Sequence, residues 1–208
     1  MGAHRLAPKR SRTTRVRAIL AGGLVLGIGA AATLAAWTNN ENATGTFGAS
    51  TFNTQSSSSA GVWASNTTSP GVALVFNATA MSPTVSHYAT LNVRTTAATN
   101  VAGNVTLTSA TPAGALAPVL EYRAVQVAAA TTCTSTAFSS GSPLYVAGSS
   151  STYLTVSSVP AVPVQAPIAA AGGEIRYCFD VRVQSTAASS YQGNNATVTW
   201  LFTATSVS

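Results

Sequence analysis

The chain predicts an all-β protein, a single antiparallel β-sandwich of jelly-roll type, and three observations carry that expectation. Short runs alternate apolar and polar residues with a period of two, the spacing that sends successive side chains to opposite faces of a strand. Stretches rich in Gly, Pro and Ser separate these runs, as turns separate the strands of a sandwich. From Trp37 onward, Ser and Thr supply 51 of 172 residues and charged side chains only eight. Ordinary domains are about a quarter charged, so solubility here rests on hydroxyls and amides. No sustained helical periodicity appears outside the N-terminal leader, and the remaining length suffices for one domain with a real core.

The clearest strands are EIRYCFDVRV (174–183) and ATVTWLFTAT (196–205). The first places Ile175, Tyr177, Phe179, Val181 and Val183 on one face. Glu174, Arg176, Cys178, Asp180 and Arg182 fall on the other, where they read as a same-face charge ladder. The second alternates Val198, Trp200, Phe202 and Ala204 with Thr197, Thr199, Leu201 and Thr203. Further strands are expected at 72–79, 87–95, 104–109, 119–128 and 152–157. Within 119–128 the parity slips between Leu120 and Tyr122 on one side and Val125 and Val127 on the other, which predicts a β-bulge near Arg123. Residues 55–61, 110–117, 139–143 and 159–173 read as turns. The Ser/Thr-rich stretch 55–69 reads as a mobile loop, or as a linker to a short N-terminal strand.

The net charge of +6 would ordinarily point to an acidic partner. Its distribution removes that reading. Arg5, Lys9, Arg10, Arg12, Arg15 and Arg17 stand in the first 17 residues with no acid among them, whereas four arginines balance four acids beyond Trp37. No nucleic-acid partner is expected. A basic segment (1–17) followed by an apolar run (18–36) has the layout of a secretory signal. Small residues then offer a cleavage region at Thr33, Leu34, Ala35, Ala36 and Trp37. The alternative is an uncleaved anchor, because 19 residues nearly match the roughly 20 that span a bilayer. Contact with a membrane is expected only through that uncleaved leader. The expected organisation is a signal segment (1–36), a strand segment with a Ser/Thr-rich loop (37–70) and the sandwich (71–208).

Export places Cys133 and Cys178, 45 positions apart, in an oxidising compartment. There an even pair most simply forms one disulfide; two buried thiols are the alternative. On the polar face of its strand, Cys178 would clip a neighbouring loop outside the core. Catalytic chemistry is poorly supplied. His87 is the single histidine beyond the leader, so HExxH and two-histidine metal sites are excluded within one chain. A triad can be written on paper from His87, a serine and Glu121 or Asp180, but no GxSxG elbow accompanies it. With no phosphate loop, dinucleotide fingerprint or calcium loop, neither cofactor nor metal is expected, and the chain reads as non-enzymatic. Trp63, isolated in SSAGVWASNTT, is either a ligand-stacking residue or an anchor that pins a loop to the domain.

The stretch VLGIGAAATLAAWTNNENATGTFGASTF resembles the N-termini of proteins exported with a SipW-type signal peptide, the group of the TasA and camelysin biofilm-matrix proteins. The places of that pattern are taken by Gly27, Gly29, Ala35, Ala36, Trp37, Asn39, Asn40, Thr46 and Phe47. MSPTVSHYATLNVRTTAATNVAGNVTLT, TTCTSTAF, RYCFDV and YQGNNATVTWLFTATS resemble actinobacterial members of the group. The resemblance implies a secreted, extracellular or cell-surface structural protein, processed by a SipW-type signal peptidase. It further implies homo-oligomers or filaments built by adding the mature N-terminal segment of one subunit, as a strand, to the next. Residues 36–52 suit that role, being Pro-free and nearly uncharged, with Trp37, Thr46, Phe47 and Phe52 in the donor segment. A monomeric binding module for glycans or another surface protein is the alternative.

Overall fold

The computed structural model describes residues 12–13, 15–21, 23, 46, 48–59, 61–68, 71–76, 78 and 80–207. The chain divides into two units, Met1–Phe47 and Gly48–Ser208. In the first, residues 12–13, 15–21 and 23 are helical, and Val16, Ile19 and Leu20 are exposed. Among the described residues no helix is long and apolar enough to cross a membrane. The cleavage region 33–37 and Phe47 lie outside the described residues.

The second unit is the expected all-β sandwich, made of two antiparallel sheets. Its strands are β1 (Thr54–Ser58), β2 (His87–Thr95), β3 (Gly103–Ala113), β4 (Leu120–Val127), β5 (Leu144–Ala147), β6 (Leu154–Thr155), β7 (Gln165–Ile168), β8 (Glu174–Val183) and β9 (Thr197–Ser206). The larger sheet runs β1-β2-β8-β4-β5, with β6 also on β4, and the smaller runs β7-β3-β9. The period-two reading of β8 and β9 holds in detail. Ile175, Tyr177, Phe179, Val181 and Val183 enter the core, and Val198, Trp200, Phe202 and Ala204 pack onto it from the facing sheet. Aromatic rings close the gap between the sheets. Tyr177 meets Phe202 at 4.6 Å, and Phe179 meets Trp200 at 4.8 Å and Phe202 edge-on at 6.1 Å between ring centroids. Tyr122 of β4 adds a 5.5 Å contact with Trp200.

Several boundaries differ from expectation, each for a physical reason. The sandwich begins at Gly48 and not near residue 71, because β1 is an integral strand paired with β2 from Thr54↔Thr95 to Ser58↔Leu91. Its sequence TQSSS lacks apolar residues, so alternation cannot reveal it. Residues 72–76 form no ladder, although Val72, Leu74 and Phe76 pack on the core with Phe76 6.4 Å from Trp200. The side chains alternate as in a strand, while among the described residues the backbone pairs in no ladder. The stretch 152–157 supplies only the two residues of β6, and the turn-like 159–173 contains β7, whose Pro167 is tolerated on an edge.

A register shift of the kind expected near Arg123 is present in β4, on the side that faces β5. β4 pairs β8 in continuous register from Leu120↔Val183 to Val127↔Arg176, and the only irregularity lies towards β5, between Ala124 and Val125. Val125 turns outward because a second apolar cluster awaits it there: Val125, Ala137, Phe138 and Cys178, with Cys133, Tyr88, Val127 and Tyr145 against it. The larger sheet is therefore apolar on both faces at this point.

Two predictions follow from the core. Phe179→Ala deletes a fully buried ring from the inter-sheet stack and lowers unfolding stability by about 3–5 kcal/mol, measurable by urea titration. The second concerns alkaline pH. Burial pushes the Tyr122 phenol up to about 12, and burial raises Tyr177 further still. Tyr122 donates to the Ser158 carbonyl (2.8 Å). The folded state thus holds protons that the unfolded chain releases near pH 10. Stability is full below about pH 10 and falls as pH rises towards about 12, so denaturation midpoints at pH 8 and pH 11 should differ, with the lower at pH 11.

Candidate functional site

The chemistry-bearing residues of the sandwich sit on one sheet. All seven charged side chains from Gly48 onward lie on β2, β4 and β8, and the strands of the smaller sheet carry none. On the outer face of the larger sheet the four arginines hold covering segments in place. Arg94 grips the Gln55 side chain (2.8 and 3.1 Å) and stacks on Trp63, its guanidinium carbon 4.3 Å from the ring centroid. Arg176 donates to Asn92 (2.7 Å) and to the Thr131 carbonyl (2.6 Å). Arg123 donates to Asp180 (3.0 Å) and to the Ser150 carbonyl (2.7 Å), between the rings of Phe138 and Tyr153. Arg182 pairs with Glu121 at 2.7 Å and lies 3.6 Å from the Tyr153 ring centroid. The charges of β8 share one face, as expected, while their ion partners stand on β4. The ion pairs run across the strands from β8 to β4, because cross-strand partners are close (Glu121↔Arg182, Arg123↔Asp180) whereas residues two apart on one strand are about 7 Å apart.

Cys133 and Cys178 stand at disulfide distance, with Cα atoms 5.2 Å apart, and a pair so placed fits an oxidising compartment. The bridge lies outside the main core, as expected, but it is not on a polar surface. Cys178 is fully buried within the second apolar cluster, beneath the 3₁₀ turn Ser135–Phe138. Sequence reasoning missed this because the covering residues, Ala137 and Phe138, are two apolar positions in a Thr/Ser-rich loop.

His87 opens β2, half-buried beside Val181. The two acids that would complete a triad with it are committed elsewhere. Asp180 accepts from Arg123 and from the Tyr153 hydroxyl (2.7 Å), and Glu121 accepts from Arg182. Burial, with the Asp180 carboxylate second, raises the Tyr153 pKa. Among the described residues no group of three or more His, Cys, Asp or Glu is placed to hold a metal ion. Two open hollows, of about 330 and 450 Å³, have no charged residue in their walls; Tyr145, Leu154 and Val164 line one, and Pro112, Ala117 and Pro118 the other.

The candidate donor residues separate. Thr46 is exposed in coil. Phe52 is instead built into its own domain: it packs against the core, and a Cβ at Gly103 would come within 2.5 Å of its ring. The flanking backbone is tied to the 96–100 turn through Thr51–Asn100 and Asn53–Thr96 hydrogen bonds. Trp63 is half-buried beneath Arg94, and its loop is fixed by the Ser56↔Ala64 bridge and by Asn66 donating to the Ser56 and Ala64 carbonyls.

The sheet edges differ sharply. β1 is bridged by Ala64, β5 and β6 are four and two residues long, and β7 carries Pro167. β9 is ten residues long, TVTWLFTATS, without Pro, Gly or charge, and among the described residues it pairs with β3 alone. Natural edge strands are normally shortened, charged, bulged or covered; β9 is neither short nor charged, its ladder with β3 shifts register at Leu107/Ser109, and among the described residues the segment that approaches it is 72–76, through Phe76 against Trp200, with no ladder pairing. No known family model matches this chain, and no curated protein matches it.

Removing the bridge in Cys133→Ala/Cys178→Ala should cost about 3–4 kcal/mol, since it closes a 45-residue separation. Limited proteolysis should then cut within 128–143 first, because the loop's start is then held by the Arg176 bond to the Thr131 carbonyl and the local Thr131–Ala128 turn bond, without a covalent tie to β8.

Proposed function

We propose that this chain is an exported, non-enzymatic structural protein of the cell surface or extracellular matrix, of the TasA/camelysin type, whose subunits join by strand addition. The observation that carries the reading is the open edge of β9. Alternate residues of this ten-residue strand, uncharged and free of proline, turn their backbone donors and acceptors away from β3 and form a template for one more antiparallel strand. The beads behind it, Trp200 and Phe202, are only half-buried, so an added strand gains apolar cover as well as main-chain bonds. The donor is the segment ahead of Thr51, most of which falls in the separate N-terminal unit; residues 51–58 are already used at home. The leader 1–36 is removed on export in this reading, by a SipW-type peptidase, which frees Trp37 as the new end.

Lysine chemistry is not available for joining subunits covalently: Lys9 is the chain's only lysine, and it lies in the leader. Cohesion therefore falls to main-chain hydrogen bonds and to the Trp37 and Phe47 side chains of the donor. A glycan-binding role for Trp63 gains no support from a ring already stacked by Arg94.

Electron microscopy of the chain from Trp37, beside a variant lacking 37–47, tests the reading. Fibres are expected from the first and monomers from the second, and a synthetic 37–50 peptide should bind the shortened variant. A full-length mature form that remains monomeric at millimolar concentration sinks the proposal.

A further inference from the structure

The two outer faces of the sandwich are unlike. The larger sheet's face carries every charge of the domain together with the covering segments held by arginine. The smaller sheet's face carries mostly hydroxyl side chains, with Asn104, Gln165, Pro167 and Leu201 among them, and no charge. On β9, Thr197, Thr199, Leu201, Thr203 and Thr205 point outward and are exposed; on β3, Thr106, Thr108 and Thr111 share that face. Thr108 and Thr203 bond each other at 3.0 Å across the strands.

We infer that this bare hydroxyl face is the lateral contact between assembled fibres, meeting the same face of a second copy. The inference rests on the strand-addition reading. Two arguments commit the occupant. In a two-fold contact a residue near the axis faces its own counterpart, so any charge there would meet a like charge; this face has none, whereas the opposite face has seven. The absent aromatic platform argues against a sugar surface, since Trp200 and Phe202 point inward and glycans are gripped by exposed rings. The area then fixes the mode. Two strands of ten and eleven residues and the four-residue β7 cover on the order of 400 Å², less than the roughly 800 Å² per partner of a stable complex. A single pair of subunits does not hold. A row of subunits along a fibre does, because each contact raises the effective concentration of the next.

The test places charge at the middle strand, away from the β9 edge. Thr106→Lys/Thr111→Lys should leave single fibres intact at about 0.1 M salt but abolish their side-by-side bundles in electron micrographs. At about 1 M salt, where screening shortens to ~3 Å, bundles should return. Thr132→Lys/Ser135→Lys, an equal charge on the loop over the larger sheet, should bundle like the unsubstituted chain. Thermal melts check that both variants fold. If the first pair still bundles, if the second pair also fails to bundle, or if unsubstituted fibres never bundle, the inference is wrong while strand addition stands. Absence of fibres from the unsubstituted chain overturns both.

Discussion

The contact on which the sandwich depends is the aromatic stack between its sheets, where Trp200 and Phe202 of β9 meet Tyr177, Phe179 and Tyr122 of β8 and β4. Aromatic pairs at these distances add to the area they bury. They also explain the placement of the strands: β8 lies between β2 and β4 at the centre of the larger sheet, and it supplies two of the five rings. The smaller sheet has only three strands to set over six. The large rings of β9 compensate by reaching across, and they remain half-buried because no strand lies beyond them among the described residues.

Charge is sparse and is used structurally. Each arginine of the domain stands on a strand of the larger sheet, and three of the four reach over it to a covering segment: Arg94 to the Trp63 loop, Arg176 to the Thr131 carbonyl and Arg123 to the Ser150 carbonyl, while Arg182 pairs with Glu121 on the neighbouring strand. Arginine suits this because its planar head stacks on a ring while its edge donates to a carbonyl. Asp180 is the exception that shows the rule, a fully buried carboxylate tolerated because Arg123 and Tyr153 both donate to one of its oxygens. In a chain this poor in charge, these few charges order the loops of one sheet and leave the other sheet uncharged.

What was legible in the sequence follows from which forces leave a periodic trace. β8, β9 and β2 each turn one alternating set of apolar side chains into the core, so their alternation reads directly onto the sandwich. β1 is held by backbone pairing and by contacts such as Asn92 with Ser57, and polar strands carry no such trace. Residues 72–76 show the converse: Val72, Leu74 and Phe76 alternate because they are packed, though among the described residues their backbone pairs in no ladder. The outward turn of Val125 could be seen only as a fault in parity, because the cluster it joins is assembled from a distant loop by the Cys133–Cys178 pair. Phe52 was misjudged for a related reason. Its spacing from Phe47 is visible, but the Gly103 gap that receives it is not.

These same residues bear on how assembly and stability would be coupled. A strand added along β9 would cover the outer flank of Trp200 and Phe202, so it would act on the very rings that join the sheets. Residues 71–76 already lie on that part of the core through Phe76, extended in side-chain pattern but without ladder bonds. An arriving strand would offer them a partner, converting a packed coil into a paired one at little entropic cost, because the side chains are already placed. In the proposed assembly the subunit would therefore be most stable within the fibre, and its open edge would cost stability only while it stays alone.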